Sequence, residues 1–174
     1  MKPRIIGLHS SLPQSGKSTI ARAIAERHGG TVQSIAGAIR KVAIELGMPA
    51  AAYVQGHYKD RACATLGGRS PRQVLIGIGE AIAKTFGDDV WVNALLERTS
   101  SLPGLVIIDD VRRLSEGEAI EAAGGIVVTV HRYGAPQVAD VSGWRPRPGQ
   151  IVSNNGTIDE AVAAVLRVAG REAA

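Results

Sequence analysis

The chain has 174 residues, 45% of them hydrophobic and 21% charged, and its formal net charge is +4. This length and composition predict one globular domain with a sizeable core and exclude a disordered chain. No apolar run approaches the roughly 18 residues that a membrane-spanning helix needs, and the only cysteine, Cys63, excludes an intramolecular disulfide. We therefore expect a cytoplasmic protein with no membrane partner.

The charge balance bears on the kind of ligand. Lysine and arginine number 20 against 16 aspartate and glutamate, and a guanidinium group binds phosphate through two parallel hydrogen bonds. This excess favours an anionic ligand. Only 3% of the residues are aromatic, which leaves little surface for stacking single-stranded nucleic acid. We therefore expect no nucleic acid as a partner.

Short apolar segments alternate with helical patterns, which is typical of βαβ units around a parallel sheet. In the first half of the chain, this pattern predicts strands at 4–8 and 31–34 and helices at 17–28 and 36–46. In the helix at 36–46 the apolar residues Ile39, Val42, Ala43 and Leu46 are expected on one face. Ser70 followed by Pro71 predicts the start of another helix, which carries apolar residues as far as Phe86.

The second half continues this alternation. It predicts a helix capped by Asp88 or Asp89, a strongly apolar strand at 105–111, and further strands at 126–130 and 151–152. Capping boxes of Ser115 with Glu118 and of Thr157 with Glu160 predict two more helices. The whole pattern predicts a three-layer α/β fold with about five parallel strands.

A loop that suits phosphate binding lies between the first strand and the first helix. Residues 11–19 read SLPQSGKST, and in such a loop backbone N–H groups and the helix N-terminus surround a polyphosphate. The lysine reaches the terminal phosphates and the following serine binds Mg²⁺. The pattern G-x-x-x-x-G-K-[ST] expects glycine first, where this chain has Ser11. The residues expected at the nucleotide are Ser11, Gln14, Ser15, Gly16, Lys17, Ser18 and Thr19.

Two carboxylates, Asp109 and Asp110, lie at the end of the strand at 105–111. A carboxylate at this place typically orients the Mg²⁺ of an enzyme with a phosphate-binding loop. Because adjacent strand residues point to opposite faces of a sheet, we expect only one of the two to face the loop. We assign Asp110, with Ser18, to the metal.

Four further segments, in order along the chain, resemble motifs of the phage-type deoxynucleoside monophosphate kinases. Together with the loop they span about residues 4 to 168, nearly the whole chain. The family patterns are P-R-x-x-L-x-x-x-G, G-D-D-x-W, D-V-R-x-x-x-E and N-x-G-T-x-x-E. In this chain they correspond to the helix from Ser70 to Gly79, the segment Gly87-Asp88-Asp89-Val90-Trp91, Asp110-Val111-Arg112 with Glu116, and Asn155-Gly156-Thr157 with Glu160.

The resemblance implies a P-loop NTPase fold of the nucleoside monophosphate kinase type, which uses ATP and Mg²⁺ to phosphorylate a (deoxy)nucleoside monophosphate. It implies one kinase domain with a monophosphate-binding insertion at about 36–87 and a lid at about 133–149. Asn155 is expected to contact ATP. The residues expected at the acceptor are Arg69, Arg72, Gln73, Trp91 and Arg112, and those expected to act in catalysis are Lys17, Arg72, Arg112 and Arg132. Arg112 has an alternative role as the partner of Glu116 in an ion pair.

The lid departs from the family. Members often carry D-x-H-x-S-E there, whereas this chain has Asp140-Val141-Ser142-Gly143-Trp144. Arg132, Arg145 and Arg147 flank or populate the lid, and any of them could neutralise the transferring phosphoryl group. Trp144 is either a base-stacking residue or a partly buried anchor of the lid.

Other classes of protein share the loop. Dephospho-coenzyme A kinase has a similar opening loop, but the segment from Asp110 to Arg112 and the turn at Asn155 fit it less well. A GTP-dependent switch protein needs an N-K-x-D motif, which is absent from the sequence. A nucleic-acid-binding ATPase is compatible with the positive charge and disfavoured by the few aromatic residues. The sequence leaves the oligomeric state open, a homodimer included.

Overall fold

The computed structural model describes residues 4–49, 56–135 and 143–170. These residues form two compact units: a first unit within Met1–Ser34 and Val92–Ala174, and a second unit within Ile35–Trp91. The described helices are α1 (Lys17–His28), α2 (Ala36–Glu45), α3 (Pro71–Phe86), α4 (Val90–Thr99), α5 (Leu114–Ala122) and α6 (Ile158–Val168). None of them is long and apolar enough to cross a lipid bilayer.

The first unit is built on a parallel sheet, which in the described residues has five strands in the order β2-β3-β1-β4-β5. The strands are β1 (Arg4–His9), β2 (Thr31–Gln33), β3 (Leu105–Val111), β4 (Ile126–His131) and β5 (Ile151–Ser153). All four neighbouring pairs are parallel. This order places β1 at the centre of the sheet. The loop that follows β1 therefore lies in the middle of the edge formed by the carboxyl ends of the strands. The predicted α/β class is confirmed.

Two helices cover one face of this sheet. Ile20 and Ile24 of α1 and Val165 of α6 are fully buried, and they pack with alternate residues of the strands, including Leu8 and Ile107. Each such side chain contributes about 1.5–3 kcal/mol when it is buried. The amphipathic patterns of α1 and α6 therefore position the loop by anchoring the helix that follows it.

The opposite face of the sheet carries α5. A Cβ on Gly7 of β1 would lie 3.0 Å from Val111 and 3.1 Å from Ile120 of α5. Glycine at this position therefore allows α5 to approach the strand closely. With α1 and α6 on the other face, the first unit has the three layers that the sequence predicts.

The second unit consists of α2, α3 and 3-10 turns at Gly56–Asp60 and Ala64–Leu66. Ser70 caps α3 as predicted, because its hydroxyl accepts the N–H of Gln73 at 3.3 Å and its own N–H donates to the Gln73 side chain at 2.9 Å. The two helices meet at Gly79, where a Cβ would lie 3.3 Å from Ile39. The indole N–H of Trp91 donates to the Gly79 carbonyl at 3.1 Å.

The apolar residues that end the two helices of the second unit are exposed. Leu46 is 71% exposed and Phe86 is 68% exposed, and Val42 is also exposed. Leu46 lies just beyond the end of α2, and Phe86 is the last residue of α3, so the helical period places them beyond the α2–α3 contact. Ala43 is the residue of α2 that is buried.

The predicted capping box of Ser115 with Glu118 is also wrong. Helix α5 begins at Leu114 with Arg113 as its N-cap, two residues before the predicted cap, so Ser115 lies inside the helix. Its first turn is closed by Glu116, whose carboxylate accepts the backbone N–H groups of Arg112 at 2.7 Å and Arg113 at 3.0 Å. The carboxylate of Glu116 therefore serves the backbone, and the Arg112 side chain is not its partner.

Candidate active site

The loop between β1 and α1 has the backbone of an anion-binding turn. Gln14 has φ +57° and Gly16 has φ +91°, both in the left-handed region. Alternation of left- and right-handed residues directs successive N–H groups toward one point, which suits an anion. Gly16 is the N-cap of α1, and its carbonyl accepts the N–H groups of Thr19 and Ile20, each at 3.0 Å. The loop therefore ends directly at a helix N-terminus, where the helix dipole favours negative charge.

The side chains of the loop divide into those that anchor it and those that face outward. Leu12 is buried, and its N–H donates to the Ser10 hydroxyl at 3.1 Å. Ser15 is 1% exposed, and its hydroxyl accepts a hydrogen bond from Lys17 Nζ at 3.4 Å. Ser11 is half-buried, while Gln14, Ser18 and Thr19 are exposed. The hydroxyls of Ser18 and Thr19 are thus accessible at the start of α1.

Lys17 lies among charged groups from β3 and from the segment after it. Burial lowers the pKa of its amine most, and the positive charge of Arg112 lowers it further. The carboxylates of Asp109 and then Asp110 act in the opposite direction. Coulombic effects of this kind fall with distance, so the fold brings Lys17, Arg112 and both aspartates together, as expected of a phosphate site.

The pairing of strands beside the two aspartates is irregular. The pairing of β1 with β3 runs from Gly7 with Ile108 to His9 with Val111, so β3 carries one additional residue across this step. Such an irregularity interrupts the alternation of side chains. The negative charges of both carboxylates act on Lys17. Asp110 also accepts a hydrogen bond from the Ser34 hydroxyl at 2.7 Å, and its assignment to the metal stays a prediction.

The oxygen donors at this edge fit Mg²⁺. This cation takes one or two protein oxygen ligands and completes its shell with water and substrate phosphates. Ser18, with an exposed hydroxyl, and the aspartates at the end of β3 carry oxygen donors of this kind. In the ranges that the structure describes, there is no group of three or more His, Cys, Asp or Glu side chains that could hold a metal.

A cleft of about 450 Å³ opens beside the loop. Thr19, Arg132 and Tyr133 are among the residues that line it. The turn after β5 closes the cleft, and there the Asn155 side chain accepts the Tyr133 N–H at 2.6 Å and donates to the Ser153 hydroxyl at 2.8 Å. The full lining is Gly16, Thr19, Arg132, Tyr133, Asn154, Asn155, Gly156 and Ile158. The structure thus brings the predicted residues Arg132 and Asn155 to the phosphate-binding loop.

Asn154 contacts the loop and was missed by the sequence analysis. Its side-chain amide donates to the Ser15 carbonyl at 2.8 Å. The pattern N-x-G-T fits four consecutive residues beginning at Asn154, which was the signal available in the sequence. Asn155 directly precedes Gly156, and it was assigned to the first position of the pattern, which Asn154 occupies.

Trp144 is an anchor in this structure. It is 4% exposed, and a Cβ on Gly117 of α5 would lie 2.2 Å from its ring. The ring centroid lies 6.3 Å from that of His9. This burial supports the anchoring alternative and is incompatible with stacking on a nucleotide base. Residues 136–142, which include the predicted lid positions Asp140 to Ser142, lie outside the described residues.

The three candidate lid arginines occupy different surroundings. Arg132 lines the cleft. The Arg147 guanidinium forms an ion pair with Glu121 of α5 at 2.5 Å, and that of Arg145 donates to the Trp144 carbonyl at 3.1 Å. Among the three, Arg132 is therefore the one that lies at the candidate nucleotide site.

The second unit carries four of the five residues predicted for the acceptor, and the fifth, Arg112, belongs to the first unit. The Arg72 guanidinium pairs with Asp60 through Nε and through a second hydrogen bond of 3.2 Å from its terminal nitrogen. This contact raises the pKa of Arg72 and lowers that of Asp60. Gln73 serves the cap of α3, Trp91 is fixed to Gly79, and Arg69 is exposed.

Comparison with known proteins finds similar folds among solved structures only. No protein-family model and no curated protein matches the chain. Among solved structures, a gluconokinase from Sinorhizobium meliloti 1021 is similar with a TM-score of 0.50 and 16% identity, over 97% of this chain and 92% of that one. The APS kinase of Mycobacterium tuberculosis matches with a TM-score of 0.48 and 12% identity, over 96% of each chain.

The likeness to the gluconokinase concerns the fold. The chain therefore shares the α/β fold of that solved structure.

Proposed function

We propose that this protein transfers the γ-phosphoryl group of ATP to a (deoxy)nucleoside monophosphate. The observation that carries the proposal is a cluster of charges around Lys17. The charges of Arg112, Asp109 and Asp110 act on its amine, and Lys17 itself begins α1 after a loop with two residues in the left-handed region. Phosphoryl transfer depends on positioning and on neutralising charge, and it needs no covalent intermediate with the protein. This site supplies both cations and metal-binding carboxylates.

The donor half of the site belongs to the first unit. The N–H groups of residues 14–19 surround the β- and γ-phosphates of ATP, and Lys17 reaches their oxygens. Ser18 and Asp110 hold Mg²⁺, which when bound offsets the negative charge of the phosphates. The cleft beside Thr19, Arg132 and Asn155 receives the nucleoside of ATP.

Two cations act on the transferred group in this proposal. Arg112 follows β3 at the carboxyl edge of the sheet, where ligands of parallel α/β proteins bind, and its charge acts on Lys17. Arg132 lines the cleft. Fixed positive groups at these places stabilise the charge that spreads over the phosphoryl oxygens in the transition state.

The acceptor assignment is supported by the family resemblance and by the chemistry of the second unit. Arg72 presents a guanidinium whose Nε edge is held by Asp60. The edge formed by its two terminal nitrogens is the one that suits a phosphate monoester. We assign Arg72 to the acceptor phosphate, with Arg69, Gln73 and Trp91 in supporting roles.

A panel of acceptors tests the proposal. Purified protein is incubated with Mg²⁺ and ATP together with each of the common deoxynucleoside and nucleoside monophosphates, dephospho-coenzyme A, gluconate, or nucleic acid. The proposal expects diphosphate formation from at least one monophosphate and no phosphorylated product from the other compounds. Phosphorylation of dephospho-coenzyme A or gluconate alone would assign another substrate to the same fold, and hydrolysis that only nucleic acid stimulates would point to an ATPase.

A further inference from the structure

The side chain of Asn154 is bonded to the phosphate-binding loop across the sheet edge. Asn154 directly follows β5, and its backbone N–H donates to the His131 carbonyl at 2.8 Å. Its side-chain Nδ2 donates to the Ser15 carbonyl, also at 2.8 Å. A Cβ on Gly16 would lie 2.2 Å from the same Nδ2, so the amide rests against the Gly16 Cα. Since a carbonyl oxygen can only accept, the group of Asn154 that faces it is the NH₂.

This hydrogen bond fixes one peptide plane of the loop. In a trans peptide the carbonyl of one residue and the N–H of the next point in opposite directions, and none of the described peptide bonds is cis. With the Ser15 carbonyl held on the side of Asn154, the Gly16 N–H is directed away from Asn154. An anion cradle needs N–H groups turned inward, and each carbonyl turned outward then needs a donor.

We propose that Asn154 is a positioning residue of the phosphate site, which holds the peptide between Ser15 and Gly16 so that the Gly16 N–H is directed at the phosphates of the nucleotide. The proposal rests on the proposed function and deepens it. The contact also gives a second reason for glycine at residue 16. Its positive φ is the first, and the second is that any side chain there would displace the Asn154 amide.

The test compares variants at Asn154 in a binding assay that needs no acceptor. Asn154→Leu keeps a side chain of similar size but removes the donor, and Asn154→Ala removes both. Calorimetry measures the affinities for ADP and for inorganic tripolyphosphate, each with Mg²⁺. Both variants are expected to weaken both ligands roughly tenfold, the effect of losing one oriented hydrogen bond.

A matched control separates this role from a loss of stability. Thr157→Ala changes the same turn and removes the cap of α6, which the hydroxyl of Thr157 forms with the N–H of Glu160 at 3.2 Å. It does not touch the loop. This control is expected to lower the thermal midpoint and to leave both affinities unchanged. In ¹⁵N-labelled protein, tripolyphosphate is expected to move the Gly16 amide resonance downfield, and to move it much less in Asn154→Leu.

The outcomes are distinct. A folded Asn154→Leu variant that binds tripolyphosphate as tightly as the wild type would overturn the positioning role and leave the proposed function standing. Equal losses of affinity in Asn154→Leu and Thr157→Ala would also overturn it, since stability would then set the affinity. If the wild type binds neither ligand, the proposed function fails and this inference fails with it.

Discussion

The indole of Trp144 lies against the backbone of Gly117 in α5, at a distance that leaves no room for a side chain at residue 117. A Cβ there would be 2.2 Å from one ring carbon and 2.4 Å from another. The tryptophan lies within the region predicted as a lid, and it is buried beside His9 at the end of β1. Trp144 thus anchors this part of the chain against α5 and the end of β1.

Gly117→Ala is therefore expected to destabilise the fold by about 1–3 kcal/mol, the usual cost of overpacking a buried contact. Gly77→Ala is the matched control, because Gly77 lies within α3 with open space around its Cα. Alanine there is expected to stabilise the protein by about 0.5–1 kcal/mol through helix propensity. Urea unfolding of both variants measures the difference, and equal stabilities would contradict the Trp144 contact.

Glu116 gives the protein a dependence of stability on pH. Burial raises the pKa of its carboxyl above the ordinary value of 4.5, although the N–H groups of Arg112 and Arg113 act against this. The folded state therefore holds the proton more tightly than the unfolded chain does. The stability that this group contributes is present below pH 4.5 and is lost as the pH rises through the raised pKa, at about 1.4 kcal/mol per unit of difference in pKa.

The measurement compares the wild type with Glu116→Gln, which accepts the same N–H groups and does not titrate. Unfolding free energies are determined in urea at intervals from pH 4.5 to pH 8. The stability of the wild type relative to the variant is expected to fall as the pH rises. A relative stability that rises with pH would show that the N–H groups outweigh burial.

The charges around Lys17 are open to direct titration. Removing the positive charge in Arg112→Ala is expected to raise the pKa of the Lys17 amine, and removing the negative charge in Asp109→Asn is expected to lower it. Carbon-13 labelling of the lysine side chains lets NMR follow the amine in nucleotide-free protein, with Lys17→Arg identifying its resonance. If neither substitution moves the titration, Arg112 and Asp109 do not face Lys17.

Comparison of sequence and structure shows which features are encoded locally. The bounds of α1 and β3 and the Ser70 cap of α3 are predicted correctly, because apolar runs, glycine stops and capping residues determine them within a few residues. The contacts of Asn154 with the loop and of Trp144 with Gly117 join segments far apart in the chain. No periodicity within one segment can predict such contacts.

The pair Asp109 and Asp110 shows a second limit of local patterns. Alternation along an isolated strand assigns them to opposite faces, but the irregular pairing of β1 with β3 breaks that alternation. The register of a strand depends on its neighbour as well as on its own residues. For the same reason the grouping of both carboxylates near Lys17 appears only in the folded chain.

Arg72 and Asp60 provide a test of the acceptor assignment. Losing a charge-assisted contact costs on the order of 2–3 kcal/mol, so Arg72→Ala is expected to raise the KM for the monophosphate roughly 30- to 150-fold and to leave the KM for ATP nearly unchanged. Asp60→Asn loosens the guanidinium without removing it, and a smaller rise is expected. Steady-state kinetics with each substrate varied in turn gives both values.

The control for this comparison is Arg98→Ala. Arg98 is exposed, and its guanidinium bonds to the Ala94 carbonyl of its own helix at 3.1 Å. Neither KM is expected to change. A rise in the KM for ATP with Arg72→Ala, and none for the monophosphate, would show that the acceptor site is elsewhere.

The central claim is that Lys17 and its loop direct the γ-phosphoryl group of ATP to a nucleoside monophosphate. Phosphorus-31 NMR follows this reaction directly, with Mg²⁺, ATP and the acceptor that the panel identifies. The wild type is expected to convert the γ signal into equal amounts of two nucleoside diphosphates with little inorganic phosphate, and a folded Lys17→Ala variant is expected to lose more than a hundredfold in rate, about 3 kcal/mol of transition-state stabilisation. Full activity in Lys17→Ala, or inorganic phosphate as the sole product of the wild type, would contradict the account.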